Sequence, residues 1–132
     1  LKRFIILCTR IAREKFSVSP EREKAFDMVR QFYVLVDNHF KEKKMVQDYA
    51  DMLHRSPKTL SNLFTTCGLP SPLRIIHERI EAEAKRLLLY SQKSAKEITE
   101  ILGFEDQATF SRFFKKMTGE SVSEYRKREK RE

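Results

Sequence analysis

Glycine and proline are scarce in this chain, with three of one and four of the other among 132 residues. So few chain breakers, in a sequence dominated by helix formers, point to an almost wholly helical protein. The same scarcity leaves no glycine-rich phosphate loop and little from which to build an active-site loop. Cysteine is scarcer still. Cys8 and Cys67 lie far apart and form no CxxC pair, so neither a zinc site nor a disulfide framework is expected, which suits a reducing cytoplasm. No apolar run approaches the length of a membrane span, and no signal peptide is visible. His39, His54 and His77 stand at unrelated spacings that suit no metal. With no Ser/His/Asp arrangement and no paired acids in a plausible cleft, no catalytic residue, metal or cofactor is expected.

What the chain does have is positive charge. Its formal net charge is +8 and its pI near 9.6, an excess that favours polyanions: nucleic acid first, an anionic membrane surface second. A soluble domain that is merely basic remains open on charge alone. Charged residues at 35% and hydrophobic ones at 40% describe a folded chain of one domain, or of two very small ones sharing a core.

The chain opens at Leu1, without methionine, inside an apolar helical pattern, and reads as a fragment of a longer protein. Leu1, Phe4, Ile5, Cys8, Ile11 and Ala12 form one stripe over residues 1–16. "SVSP" breaks the pattern at Pro20, and a second helix over residues 21–40 turns Ala25, Met28 or Val29, Phe32, Tyr33, Val36 and Phe40 inward. After the charged turn "KEKK" the helices become short and well punctuated. One covers residues 46–53; Ser56-Pro57 opens another to about Cys67, closed by Gly68. Ser71-Pro72 opens a long helix to about Tyr90 with Leu73, Ile76, Ile80, Ala84, Leu87 and Leu88 inside. Ser94 with Glu97 is a capping box for a helix ending near Gly103. Asp106 caps the next, and Ser121 with Glu124 boxes a final short helix through Tyr125.

Within this series there is a repeat. "ADMLHRSPKTLSNLF" (residues 50–64) matches "TEILGFEDQATFSRFF" (residues 99–114) with one extra residue in the second turn. Leu53 pairs with Leu102, His54 with Gly103, Leu60 with Phe110, and Leu63-Phe64 with Phe113-Phe114. Each copy is a short helix, a tight turn and a second helix, the layout of a helix-turn-helix. The expected fold is all-α: two helix-turn-helix units joined by a long linker helix and preceded by one or two N-terminal helices.

The second helix of such a unit packs one face on the first helix and offers the other to the DNA major groove. Leu53, Leu60 and Phe64, then Leu102, Phe104, Phe110, Phe113 and Phe114, are the expected cores. The opposite faces carry Lys58, Thr59, Ser61 and Asn62, then Gln107, Ala108, Thr109 and Arg112. Arginine suits guanine, asparagine or glutamine suits adenine, and a small apolar group suits the thymine methyl. Ser56, Ser94, Lys96, Lys115 and Lys116 are candidate phosphate contacts, a solvated helix end being the alternative for the last two. For Arg112 the alternative is an ion pair with Glu105 or Asp106. The linker helix, roughly 20 residues and about 30 Å at 1.5 Å per residue, nearly matches the ~34 Å between successive major-groove faces. A monomer could then read two half-sites in tandem.

"GFEDQATFSRFFKKMTGESVSEYR" resembles the signature of the AraC/XylS family of bacterial transcription regulators: a Gly-Phe turn, an aromatic-Ser-Arg-x-Phe-Lys core, a glycine, and a closing helix ending Tyr-Arg. "YADMLHRSPKTLSNLF" fits the same family's first helix-turn-helix, so the resemblance covers about residues 46–126. It implies double-stranded promoter DNA as partner, base-facing positions at Lys58, Ser61, Asn62, Gln107, Ala108, Thr109 and Arg112, contact with RNA polymerase, and a bacterial cytoplasm. It also implies that residues 1–20 are the last helix of an upstream sensor and dimerisation domain, whose stripe over residues 1–16 is a homodimer seam or a broken contact with that domain, and that residues 21–132 are the DNA-binding domain. Three positions depart from the pattern: His54 for a turn glycine, Val122 for a proline, and Thr99 for a small alanine. A helical adaptor for protein partners is the rival reading. RNA binding lacks the usual sheet with surface aromatics.

Overall fold

A computed structural model describes residues 20–130, with the backbone alone for residues 21, 22 and 130. The expected amphipathic helix over residues 1–16 lies outside the described residues. The described residues form seven α-helices in order: α1 (Pro20–His39), α2 (Val46–Met52), α3 (Pro57–Thr66), α4 (Pro72–Tyr90), α5 (Ala95–Ile101), α6 (Gln107–Thr118) and α7 (Val122–Lys130). No strand occurs among the described residues.

Local chemistry sets the helix starts. The Thr59 N–H donates to Ser56 Oγ at 3.1 Å and the Arg74 N–H to Ser71 Oγ at 3.2 Å, with Pro57 and Pro72 as the first helical residues. Reciprocal boxes start α5 and α7. The Ser94 N–H donates to Glu97 and the Glu97 N–H to Ser94, at 3.0 and 3.1 Å. Ser121 and Glu124 do the same at 3.1 Å each. The ends are equally patterned. Helices α2, α3 and α5 close with paired bonds in which one N–H reaches back five residues and the one before it reaches back three. These run from Arg55 to Ala50 and His54 to Asp51, from Leu69 to Phe64 and Gly68 to Thr65, and from Phe104 to Thr99 and Gly103 to Glu100. Each closure needs one left-handed residue, and His54 at φ 56° occupies the place that Gly103 fills at φ 78°.

The chain divides into two compact units at Ile76–His77, inside α4. In the first, α1 packs against both α2 and α3. Phe32 lies between the rings of Tyr49 and Phe64, with centroids 5.5 and 4.9 Å away. Such aromatic pairs add about 0.5–1.5 kcal/mol beyond burial alone. The Tyr49 hydroxyl donates to the Lys43 carbonyl at 2.6 Å, tying the turn after α1 to the core, and burial, with Asp48 and Glu42 nearby, raises its pKa. In the second unit, Ala84, Leu87 and Leu88 of α4 meet Ile98, Leu102, Phe110, Phe114, Val122 and Tyr125. Arg126 of α7 donates its Nε–H to the Leu88 carbonyl at 3.0 Å, capping the end of α4 with a cation.

Four expectations need correction. Leu73 is 44% exposed, because the first turns of α4 bury Pro72, Ile75 and Ile76, a face from which Leu73 is turned away. In α1, Phe26 is buried while Ala25 is only half-buried, and of Met28 and Val29 it is Val29 that is fully enclosed. Phe104 and Phe113 are half-buried edges of the second core rather than its interior. The final helix runs past Tyr125 to Lys130. At the other departures from the family pattern, Thr99 is buried with its hydroxyl donated to the Ala95 carbonyl at 2.7 Å, and Val122 is buried as the first residue of α7.

Candidate nucleic-acid interface

The interface is built twice, each time on the second helix of a pair. In the first unit, Leu53 of the turn and Leu60 and Phe64 of α3 are buried, and Leu63 is half-buried. This fixes α3 by its apolar side. Lys58, Thr59, Ser61 and Asn62 are all exposed. Thr59 is drawn toward the cap, its Oγ1 2.9 Å from Ser56 Oγ, so its hydroxyl is shared with the helix start. The backbone carbonyls of Ser61 and Asn62 accept the hydroxyls of Thr65 and Thr66 at 2.9 Å each, while the Asn62 amide projects to solvent.

The second unit repeats this with aromatics. Leu102, Phe110 and Phe114 are fully buried. Phe104 spans Phe110 and Phe113, with ring centroids at 5.4 and 5.3 Å. Phe113 also meets the His77 ring edge-on at 5.3 Å, bracing α6 against α4. Burial, and secondarily the charge of Lys116, lowers the His77 pKa and favours the neutral ring. On the outer side Gln107, Ala108 and Arg112 are exposed and Thr109 is half-buried. Asp106 caps α6, accepting the Thr109 N–H at 2.7 Å; that bond, the Thr109 side chain and more weakly the Arg112 charge hold its carboxyl below the usual range. Arg112 donates a long 3.4 Å hydrogen bond to Thr109 Oγ1 and, among the described residues, forms no ion pair with Glu105 or Asp106. Its guanidinium therefore remains open to an outside acceptor.

Of the candidate phosphate contacts, Ser56, Ser94, Lys96, Lys115 and Lys116 are all exposed. Ser56 and Ser94 accept cap bonds, which occupy the oxygen but leave the hydroxyl proton able to donate. Arg55, which the sequence reading passed over, is exposed directly before the Ser56 cap. The signal that could have found it is a cation in the turn of one repeat where the other carries Phe104-Glu105. Among the described residues no group of three or more His, Cys, Asp or Glu is arranged to hold a metal, and no helix is long and apolar enough to cross a membrane.

Known proteins resemble this chain in sequence and fold. The sequence profile of a family described as "Helix-turn-helix domain" matches residues 49–128. The HTH-type transcriptional regulator YisR of Bacillus subtilis (strain 168) is 30% identical over 122 residues, 92% of this chain and 41% of its own length. The arabinose operon regulatory protein of Salmonella typhimurium (strain LT2) is 36% identical over 92 residues, 70% of this chain and 31% of its own. The chain thus spans well under half the length of either relative. Among solved structures, the C-terminal domain of AraT, a response regulator from Geobacillus stearothermophilus, superposes with a TM-score of 0.68 at 29% identity, over 76% of this chain and 84% of that one. With two helix-turn-helix units carrying exposed polar faces, a profile match over most of its length and these relatives, the chain belongs to the AraC-type helix-turn-helix family of DNA-binding transcription regulators.

Proposed function

We propose that α3 and α6 each enter a major-groove segment of one promoter duplex and that the two segments are adjacent. The single observation that carries this is the duplicated exposed face. Lys58, Thr59, Ser61 and Asn62 in one unit, and Gln107, Ala108, Thr109 and Arg112 in the other, lie outside helices whose opposite sides are anchored by Leu60 and Phe64 or by Phe110 and Phe114. These groups read base edges, while Ser56, Ser94, Lys96, Lys115 and Lys116 fix register on the phosphates. Affinity rests largely on counterion release and specificity on the two faces.

Residues 1–20 belong to an upstream sensor and dimerisation domain in this reading, and residues 21–132 form the DNA-binding domain. The whole protein acts in a bacterial cytoplasm, contacts RNA polymerase, and pairs through the Leu1, Phe4, Ile5, Cys8, Ile11 and Ala12 stripe. In this reading the chain itself has no enzymatic role.

Selection of random duplexes on this chain tests the reading, with Asn62→Ala and Arg112→Ala in parallel. The expected result is a bipartite motif about one helical turn apart, with each substitution relaxing its own half. Enrichment without a motif, or a motif that neither variant changes, would sink it and favour the protein-adaptor alternative.

A further inference from the structure

We infer that Arg55 is a phosphate contact built into the first unit alone, an inference resting on the reading of α3 as a groove helix. The helix closures at the ends of α2, α3 and α5 share one geometry, and the residue that completes each is Arg55, Leu69 or Phe104. That position ordinarily carries an apolar side chain that packs back on the helix it closes. Leu69 and Phe104 are half-buried and Phe104 packs on the second core, as the geometry favours. Arg55 is exposed. Local stability gives no reason for an arginine there.

Its setting supplies one. The Arg55 N–H is fixed on the Ala50 carbonyl at 2.9 Å, and its Nη1 donates to the His54 carbonyl at 3.0 Å. The guanidinium is thus held at the turn with most of its five donors unused. Among the described residues it forms no ion pair. It stands immediately before the Ser56 cap, with Lys58 three positions on, at the end of α3 that a groove helix presents to the duplex. A planar fork of donors in that place suits a phosphate oxygen pair. The second unit has the reverse arrangement: Phe104 is followed by the exposed acids Glu105 and Asp106, which repel a phosphate from the matching place.

The test is a fluorescence-anisotropy titration of the 132-residue chain against its selected duplex and a scrambled duplex, across a salt series. Arg55→Ala is expected to weaken binding to both duplexes by the same factor and to reduce the slope of log affinity against log salt by about 1. Arg55→Lys keeps the slope. Arg55→Leu loses it while melting no lower than the parent, because leucine supplies the missing packing contact; this separates lost contact from lost fold. Unchanged slope and affinity in Arg55→Ala, with Asn62→Ala still relaxing the selected motif, overturn the Arg55 assignment and leave the groove reading intact. A changed base preference in Arg55→Ala overturns it too, by making the residue a reader. If neither variant alters binding and no motif exists, the groove reading fails with it.

Discussion

Asn62 and Arg112 occupy matching positions of the two repeats and differ in what they can bind. A carboxamide pairs bidentately with adenine and a guanidinium with guanine, so the two half-sites should differ at that point. Exchanging the pair, as Asn62→Arg with Arg112→Asn, is expected to exchange the preference between halves. Each single alanine variant should cost about 1–3 kcal/mol of discrimination at one base pair. Competition titrations against single-base variants of the selected duplex measure both. His54 offers a test independent of DNA. At φ 56° it holds a backbone conformation that costs a non-glycine residue about 1–2 kcal/mol. His54→Gly should therefore raise stability by about 1 kcal/mol once the entropy of glycine in the unfolded chain is offset. Gly68→Ala should lower it by a similar amount through backbone strain, since an added Cβ meets nothing within 4 Å. Urea denaturation of both variants decides; equal and unchanged midpoints would show that the turn conformation carries no cost.

At the scale of elements, the caps were legible because each rests on two or three neighbouring residues. Ser94 with Glu97, Ser121 with Glu124, Asp106, and Ser56 before Pro57 form where the sequence implies them. They should also make the second unit sensitive to acid. The carboxyls of Asp106, Glu97 and Glu124 are all held below their ordinary range, chiefly by accepting backbone N–H groups, and all three lie in the second unit. A depressed folded pKa means that the stabilisation is complete above the ordinary carboxylate values of about 4 and is lost as pH falls through the lower folded values. Amide NMR spectra recorded from pH 5 down to pH 2 should show the α5–α7 resonances weakening with that loss. Asp106→Asn, which keeps a capping oxygen, should remove its share of the dependence. An identical acid profile in that variant would count against the cap as its origin.

For the whole molecule, the +8 charge governs affinity more than selectivity. With four or more phosphate contacts, raising salt from 50 to 200 mM should weaken binding to any duplex about a hundredfold or more. Selected and scrambled DNA should lose affinity nearly in parallel, because base contacts release few ions. A salt-insensitive affinity would instead indicate that apolar contact dominates. The division at Ile76–His77 gives each helix pair its own core. Phe64→Ala should therefore cost about 3–5 kcal/mol and be read in the α1–α3 resonances, whereas Phe114→Ala should be read in those of α5–α7.

The sequence by itself determined the helical class, the repeat, the helix starts and the polar faces, because these depend on residues within one or two turns of each other. Capping, left-handed closures and amphipathic spacing are local, and His54 opposite Gly103 already marked the turn. Tertiary structure alone decided which apolar residues are enclosed. Leu73 and Ile75 are neighbours on one helix, and only the packing of the first unit buries Ile75 and exposes Leu73. Phe26 is equally apolar on paper and is found in the core. Phe113 becomes an edge: the rings of His77 and Phe104 pack against it and it is still only half-buried, because enclosure requires atoms from other elements on every side.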